Sequence, residues 1–452
     1  MSRYFFDCET DGLLDELTKV HSLVLIDADT GDLISASSDN EQIEHAVRLL
    51  MDAEETISHN GIKFDIPALQ KVYPWFSPKG RVTDTLVLSR LLFGNLFDRD
   101  AEARKRRRLL HMPGKLMGSH GLKAWGYRLD FYKGEFGETS DWSEWSPEMQ
   151  EYCEQDVRVT DKLYRYLLAQ QPSERSVDLE HKFATILAMQ ERWGFVFNEA
   201  KAVELYQELV RKRLEIKSEL ERMFPPKRVE TVFIPKVNNK KQGYVKGVPF
   251  TKVTYADFNP SSRQMIADRL QAMGWEPQEH TPSGQPKVDE MILSKLPYPE
   301  AKLLARHFLI EKRIGQLAEG DQAWLRLVVS GRIHGSVNTN GAVTGRCTHS
   351  NPNIAQVPSV KKDKEKGVLW GEEGGWGAEC RALFTVRKGY VLVGVDLSGL
   401  ELRCLAHFMA VYDGGDYGRV LLTGDIHKMN QEAAGLPTRD NAKTFIYAYL
   451  KN

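Results

Sequence analysis

Long apolar runs, paired cysteines and a large net charge of either sign are all missing from this 452-residue sequence. No stretch approaches the roughly 20 apolar residues that a membrane-spanning helix requires, so we expect no membrane partner. The first residues reach Asp7 too early for a secretory signal. The five cysteines are widely separated and form no C-x-x-C pair. This spacing predicts a cytoplasmic protein without a disulfide framework or a zinc site.

Charge is balanced overall but uneven along the chain. The formal net charge is only −1, which argues against a wholly basic nucleic-acid coat. Basic residues are nevertheless concentrated in the stretches 104–115, 227–252 and 361–366. A run of like charges is usually a solvated loop. These stretches therefore indicate a polyanionic partner only if the catalytic motifs do so as well.

The first of three predicted segments, residues 1–172, favours an α/β domain. Apolar residues and the turn residues between them predict the strands 3–8, 20–26 and 32–36. Helices are expected to begin near Glu41, after Asp65 and near Asp84, which is interpreted as a helix cap, and a further helix is expected to span 147–168.

The other two segments differ in character. Residues 173–330 are predicted to be mostly helical, because apolar residues recur at helical spacing after Asn198, the expected N-cap. Within them, the lysine-rich stretch 227–259 shows no such spacing and is interpreted as an irregular excursion between helices. Residues 331–452 are turn-rich and contain one strongly apolar predicted strand, 390–395.

Acidic residues recur in a fixed order through the first segment. Asp7 and Glu9 are two residues apart on a predicted strand, so their side chains share one face at a separation of roughly 6–7 Å. Asp65 follows a short strand near the start of a helix. Tyr152 and Asp156 stand at i and i+4 on one helical face. Each pattern alone is equally typical of an acidic strand end, a helix cap or an ordinary surface helix.

Together these residues supply the parts of a metal-dependent phosphodiesterase site. Four carboxylates offer hard oxygen ligands for two Mg²⁺ ions about 3.5–4 Å apart. A tyrosine hydroxyl with a pKa near 10 suits the orientation of a water better than its deprotonation. The order D-x-E, N-x-x-x-(F/Y)-D and Y-x-x-x-D resembles the proofreading 3′→5′ exonuclease family with a tyrosine in its third motif. The resemblance implies that Asp7, Glu9, Asp65 and Asp156 hold the ions and that Tyr152 acts beside them.

A second set of motifs lies in the last 120 residues. The sequence T-G-R at 344–346, followed by the spaced P-N…Q…P of 352–358, resembles a motif of family A (Pol I-type) DNA polymerases. The resemblance implies that Arg346 and Gln356 bind primer-template DNA. It makes Arg381 a further candidate for the same role.

The predicted strand 390–395 leads into D-x-S-x-x-E-L-R, which resembles the palm motif of the same family. Alone, this pattern is also typical of a helix capped by Asp396 or Ser398. The resemblance implies that Asp396 and Leu397 bind the catalytic Mg²⁺ ions and that Glu401 forms a wall of the nucleotide pocket.

The segment after Pro437 predicts a helix that carries Arg439, Lys443 and Tyr447 on one face. Two cations near a helix N-terminus suit a triphosphate, although an amphipathic surface helix shows the same pattern. R-x-x-x-K-x-x-x-Y resembles the fingers helix of family A polymerases. The resemblance implies that these three residues and His427 bind the incoming dNTP.

These resemblances span almost the whole chain and are to the family A polymerases of short-tailed phages; further similar segments are 119–129, 312–316 and 406–409. The implied fold is an α/β ribonuclease H-like exonuclease domain (1–172), a helical thumb (173–330) and an incomplete α+β palm with the start of the fingers (331–452). The implied function is replication by a DNA-directed DNA polymerase with a proofreading exonuclease, in the host cytoplasm. The implied partners are primer-template DNA, a single-stranded 3′ end and dNTP.

Two departures from the family qualify this interpretation. The sequence stops soon after Tyr447, and the family's H-D-E motif with the second palm aspartate is absent. We therefore expect polymerisation to require a C-terminal part or a second polypeptide. The alternatives are a non-catalytic primer-template-binding subunit of a split polymerase and an inert truncation product. The stretch 227–259 is short beside the thioredoxin-binding insertion of some phage relatives, so its lysines are expected to hold DNA directly rather than through thioredoxin.

Overall fold

The computed structural model describes residues 2–132 and 141–450, and the chain divides into two units, Met1–Thr385 and Val386–Asn452. The strands are β1 Arg3–Thr10, β2 Val20–Asp27, β3 Leu33–Ala36, β4 Glu55–Ser58, β5 Arg81–Asp84, β6 Phe195–Phe197, β7 Lys227–Phe233, β8 Phe250–Ala256, β9 Val328–Val329, β10 Arg332–Ile333, β11 Ser336–Asn338, β12 Thr348–Ser350, β13 Lys362–Asp363, β14 Gly367–Val368 and β15 Phe384–Thr385.

Helices alternate with these strands and dominate the middle of the chain. They are α1 Asn40–Asp52, α2 Asp65–Val72, α3 Thr85–Leu92, α4 Leu96–Lys105, α5 Leu122–Arg128, α6 Pro147–Leu168, α7 Glu174–Trp193, α8 Glu199–Met223, α9 Arg263–Ala272, α10 Glu290–Lys295, α11 Pro299–Ile314, α12 Trp324–Leu327, α13 Gly371–Gly374, α14 Gly377–Ala382, α15 Leu400–Asp413, α16 Asp416–Thr423, α17 Ile426–Ala433 and α18 Arg439–Tyr449. None of the helices in the described ranges is long and apolar enough to cross a membrane.

A five-stranded sheet with the order β3-β2-β1-β4-β5 organises the N-terminal part of the chain. β1 lies at its centre, antiparallel to β2 and parallel to β4. Because strand side chains alternate, Phe5 joins a core with Val157 of α6, whereas Phe6 joins a core with Ile43 of α1. The three strands and the helix 147–168 that the sequence predicts are confirmed.

The helical region contributes a strand to a second sheet. β6 lies between α7 and α8 and pairs with β10 and β15, giving the order β15-β6-β10-β9. Phe197 of β6 packs edge-on against Trp324 and Phe384. Asn198 caps α8 as predicted, because its Oδ1 accepts the Lys201 backbone N–H at 3.1 Å.

The prediction of an irregular excursion at 227–259 is wrong. β7 and β8 form an antiparallel hairpin paired from Lys227–Ala256 to Phe233–Phe250. Aromatic contacts hold its far end, where the Tyr244 ring lies 5.3 Å from Phe233 and 5.4 Å from Phe250. Such cross-strand pairs stabilise a hairpin without any helical spacing of apolar residues.

The strand predicted at 390–395 is also wrong. This stretch pairs with no strand in the described parts of the chain, and Val391 and Val395 are 81% and 85% exposed. Apolar composition favours a strand, but a strand forms only where a neighbour completes its hydrogen-bond ladder. The second unit is instead helical, and Leu402, Ala406, Tyr417 and Ile426 form its small core.

Candidate active site

Asp7 and Glu9 lie on the central strand β1, on the face that α6 covers. The register of β1 against β2 shifts between Glu9 and Thr10, and such a bulge re-aims a side chain at the end of a ladder. Cys153 of α6 meets the two acids there. One ligand atom each from Asp7, Glu9 and Cys153 lie within 4.8 Å of one another. The predicted D-x-E pair therefore shares one face, as its spacing requires.

Asp65 is the first residue of α2 and is only 4% exposed. Its Oδ1 accepts the backbone N–H of Cys8 at 3.2 Å and the Cys8 thiol at 3.4 Å. Burial raises the pKa of this carboxyl to about 6, although the hydrogen bonds from Cys8 act in the opposite direction. Asp65 is thus tied directly to the strand residue between Asp7 and Glu9.

The loop that leads to Asp65 is held by Asp84, at the end of β5. The Asp84 carboxylate accepts the backbone N–H groups of Asn60 at 2.9 Å, Ile62 at 3.2 Å and Leu86 at 2.9 Å. The sequence predicted the cap on α3, which is confirmed, but not the two bonds to the loop. Gly61 fits between them because a Cβ there would lie 2.0 Å from the Ser58 hydroxyl.

His181 of α7 stabilises the same junction by a hydrogen bond to the backbone of Asp84. Its Nδ1–H donates to the Val177 carbonyl at 2.7 Å, so its Nε2 accepts the Asp84 N–H at 2.8 Å. His59 and Thr85 also meet, with Nδ1 and Oγ1 2.8 Å apart. The loop is therefore fixed on β5, α3 and α7 together.

Helix α6 carries the last predicted residues of the acidic set. Asp156 is 3% exposed, and the Tyr152 ring packs edge-on against Trp142 at 6.3 Å. Burial raises the pKa of the Cys153 thiol well above its usual value. The nearby carboxylates of Asp7 and Glu9 raise it further, and Asp156 contributes less.

The thiol of Cys8 connects Asp65 to the same group of acids. Burial, followed by the charges of Asp65, Asp7 and Glu9, raises its pKa well above the usual value. Asp7 and Glu9 therefore lie beside the buried Cys153, Asp65 is bonded to the buried Cys8 of the same strand, and Asp156 follows on α6. Closely spaced carboxylates repel unless a cation lies among them, and their oxygen atoms are the ligands that hard divalent cations prefer. The Asp7–Glu9 pair therefore offers the oxygen donors that a divalent cation requires.

Lys63 connects this loop to the hairpin formed by β11 and β12, a link that sequence motifs do not reveal. Its Nζ donates to Glu191 Oε2 at 2.7 Å, to Ser336 Oγ at 3.0 Å and to the Val337 carbonyl at 3.3 Å. The turn between β11 and β12 carries Arg346. A residue two positions before Asp65 therefore holds the base of the predicted DNA-binding turn.

A cavity of about 580 Å³ lies beside this hairpin, lined among others by Arg90, His120 and Asn338. Arg90 Nη1 donates to Asn338 Oδ1 at 3.0 Å, and His120 Nδ1 lies 2.9 Å from the Ser89 hydroxyl. Burial, with the charges of Arg90 and Arg128 adding to it, lowers the pKa of His120 to about 4. His120 is therefore neutral at pH 7 and lines the cavity beside the contact between Arg90 and Asn338.

The three predicted DNA-binding residues lie in turns and at a helix end of the first unit. Arg346 is exposed, and its carbonyl closes the turn by accepting the Ala342 N–H at 3.0 Å. Gln356 is exposed in a short 3₁₀ turn. Arg381 donates from Nε to the Pro358 carbonyl at 2.8 Å, so part of its guanidinium supports the chain.

The palm-like motif differs from its prediction. Asp396 and Leu397 lie in an exposed stretch without secondary structure, and Glu401 falls in the first turn of α15. The alternative cap by Asp396 or Ser398 is wrong, because the N-cap of α15 is Gly399. The described chain does not bring Asp396 into a folded carboxylate cluster.

The predicted nucleotide-binding residues of α17 and α18 do lie together. Asp425 caps α17 by accepting the His427 N–H at 3.1 Å, and its other oxygen accepts from Arg439 Nε at 2.8 Å. The rings of His427 and Tyr447 are 6.4 Å apart. Burial, followed by the charges of Arg439 and Lys443, lowers the pKa of His427. One surface therefore presents two cations, an imidazole and a phenol.

Comparison with known proteins identifies the class. The family model "DNA polymerase family A" matches residues 243–450. The DNA-directed DNA polymerase of Escherichia phage T7 is 38% identical over 98% of this chain and 75% of its own length. The chain therefore belongs to DNA polymerase family A, whose members are nucleotidyltransferases of DNA replication.

A second phage enzyme also matches almost the whole chain. The DNA-directed DNA polymerase of Enterobacteria phage T3 is also 38% identical, over 98% of this chain and 75% of its own. A solved structure, the POL domain of Pol1 from M. smegmatis in complex with DNA primer-template and dNTP, is similar with a TM-score of 0.63. It covers 98% of this chain and 67% of its own at 18% identity, and so indicates a shared fold.

The three hydrogen bonds that Asp84 accepts predict a large loss of stability when its carboxylate is removed. Replacing Asp84 by Ala leaves three N–H donors without their acceptor, and we expect the free energy of unfolding to fall by about 3–5 kcal/mol. Asp39→Ala is the matched control, because Asp39 caps α1 through one exposed bond to Glu41; its cost should be about 1 kcal/mol. Urea denaturation of both variants measures the difference, and equal losses would contradict the role of Asp84.

Proposed function

We propose that this family A polymerase chain also removes nucleotides from DNA 3′ ends, at the site formed by Asp7, Glu9, Asp65 and Asp156. The observation that carries the proposal is the position of these carboxylates: Asp7 and Glu9 meet on β1, Asp65 is hydrogen-bonded to Cys8 between them, and Asp156 is buried on α6, which covers this face. The sheet order β3-β2-β1-β4-β5, with β2 and β3 antiparallel to their neighbours, supports the ribonuclease H-like exonuclease domain expected for residues 1–172.

The chain's own groups have distinct tasks in this reaction. The four carboxylates would hold two divalent ions, Mg²⁺ in the ordinary case. When bound, such ions supply an activated water and stabilise charge on the scissile phosphate. The Tyr152 hydroxyl orients the attacking water, while the Cys8 N–H fixes the Asp65 carboxylate at 3.2 Å. Asp84 keeps the loop before Asp65 in place.

Removing the strand carboxylates tests this proposal. With 5′-labelled single-stranded DNA and Mg²⁺, the native chain should shorten 3′ ends, and Asp7→Ala/Glu9→Ala should lower the rate by about 10³-fold or more, because several kcal/mol of transition-state stabilisation is lost. Glu41→Ala/Glu44→Ala on α1 is the control for charge and should leave the rate unchanged. DNA binding without degradation by the native chain would instead favour a non-catalytic binding subunit.

We further propose that Arg439, Lys443, His427 and Tyr447 bind the triphosphate and base of an incoming dNTP. The N-terminus of α18 adds its positive end to the two cations. Asp425 orients Arg439 while capping α17. This arrangement favours an anionic ligand over a purely structural helix pair.

Loss of one cation should weaken nucleotide binding. We expect Lys443→Ala to reduce the affinity for a fluorescent dNTP by about 10–100-fold, because a charged hydrogen bond contributes about 1.5–3 kcal/mol. Lys428→Ala on the neighbouring helix α17 removes the same charge and should change affinity less than about 3-fold. Equal effects would reduce the site to non-specific attraction. Primer extension by the purified chain alone would overturn the expectation that a second polypeptide is needed.

We also propose that the β7–β8 hairpin holds DNA through its lysines. Lys236, Lys240 and Lys241 are exposed at its far end, beyond the aromatic contacts that fix the strands. An ordered hairpin presents these charges at a fixed place, which a floppy loop would not do. The ammonium groups of these three lysines are therefore suited to bind the phosphate groups of a DNA backbone.

Salt titration separates this role from that of solvated charge. Replacing the three lysines by Ala should reduce the slope of log affinity against log salt by about 2–3, since each neutralised phosphate contributes about 0.7–0.9. A triple replacement of exposed Lys79, Lys162 and Lys182 is the control. An unchanged slope in the hairpin variant would return its lysines to the role of a solvated surface.

A further inference from the structure

Cys153 is a fully buried thiol placed among the proposed metal ligands. It follows Tyr152 on α6, and its Sγ lies 3.4 Å from the Asp7 carbonyl oxygen and 3.9 Å from Asp7 Oδ2. Sγ belongs to the same group of donor atoms as Asp7 and Glu9, all within 4.8 Å of one another. The reaction proposed above gives this sulfur no task.

The distance between the Cys153 and Asp7 donors is close to that of a tetrahedral zinc site. With a Zn–S bond of about 2.3 Å and a Zn–O bond of about 2.0 Å, sulfur and oxygen ligands of one ion lie about 3.5 Å apart. Sγ lies 3.9 Å from Asp7 Oδ2, and the Glu9 donor lies within 4.8 Å of both atoms, so small side-chain shifts would bring the three donors onto one ion. Three protein ligands leave the fourth position to a water, the usual arrangement of an open zinc site.

The chemistry of the donors distinguishes the metals. Mg²⁺ binds oxygen and leaves a thiol protonated, whereas Zn²⁺, Co²⁺ and Cd²⁺ accept a thiolate readily. Cys8 does not offer the same choice, because it lies on the opposite face of β1 from Asp7 and Glu9. The soft ligand is therefore Cys153 alone.

We propose that Cys153 gives the exonuclease site a second metal-binding mode, in which a thiophilic ion such as Zn²⁺ is held by Asp7, Glu9 and Cys153. On binding, the S–H bond of Cys153 breaks, its proton passes to solvent water and a sulfur–metal bond forms, without any change of oxidation state. Asp7 and Glu9 then serve this ion rather than two Mg²⁺ ions.

Cobalt titration in the absence of DNA tests the proposal. The native chain should develop a thiolate-to-cobalt charge-transfer band in the near ultraviolet, and Zn²⁺ should abolish it by displacement. Cys153→Ser should lack the band and bind Zn²⁺ about 100-fold more weakly, as expected when one ligand is lost. Cys404→Ser removes an exposed thiol of the second unit and should retain both properties.

The outcomes separate this inference from the proposed function on which it rests. A native chain that degrades DNA with Mg²⁺ but shows no thiolate band overturns the inference and leaves the function standing. A thiolate band in a chain without nuclease activity supports the metal site and overturns the function. A band that persists in Cys153→Ser also overturns the inference. Because the native chain alone gives a decisive result, a variant that fails to fold does not obscure it.

Discussion

The position of the acidic site depends on one buried carboxylate that is not itself a proposed ligand. Asp84 ends β5, begins α3 and accepts two N–H groups from the loop that delivers Asp65. A loop normally carries its own backbone groups into solvent, since burying them unpaired is costly. Here the Asp84 side chain accepts two of them, which permits Gly61 and Ile62 to be buried at the end of β5. The loop before Asp65 is therefore tied to the sheet by hydrogen bonds.

The same loop reaches the hairpin that carries Arg346. Lys63 stands between Asn60 and Asp65, and its ammonium group is shared by Glu191 of α7 and by two groups of β11. Arg90 of α3 adds a second contact to this hairpin at Asn338. The proposed nuclease loop and the proposed DNA-binding turn therefore rest on a common set of polar bonds. Lys63 therefore joins the loop before Asp65, a proposed metal ligand, to this hairpin.

Local patterns predicted much of this arrangement. The alternation in β1, the cap Asp84 and the full length of α6 follow from side-chain periodicity and end-capping, which operate over a few residues. The hairpin at 227–256 was missed because cross-strand contacts such as Phe233–Phe250 join residues far apart in sequence. The strand at 390–395 was wrong because composition does not report whether a partner strand is present. The hydrogen bonds of Lys63 were also not predicted, because its partners Glu191, Ser336 and Val337 are far from it in the sequence.

Cys153 shows where sequence spacing fails for metal ligands as well. The absence of a C-x-x-C pair excludes a site built from neighbouring cysteines, yet a ligand set needs proximity only in space. Here α6 brings a residue from position 153 against a strand at positions 7 and 9. Packing places a soft donor beside hard ones, so the identity of the metal follows from which donor the ion can use. Hard ions leave the sulfur a buried thiol that fills space beside Asp7, and thiophilic ions recruit it.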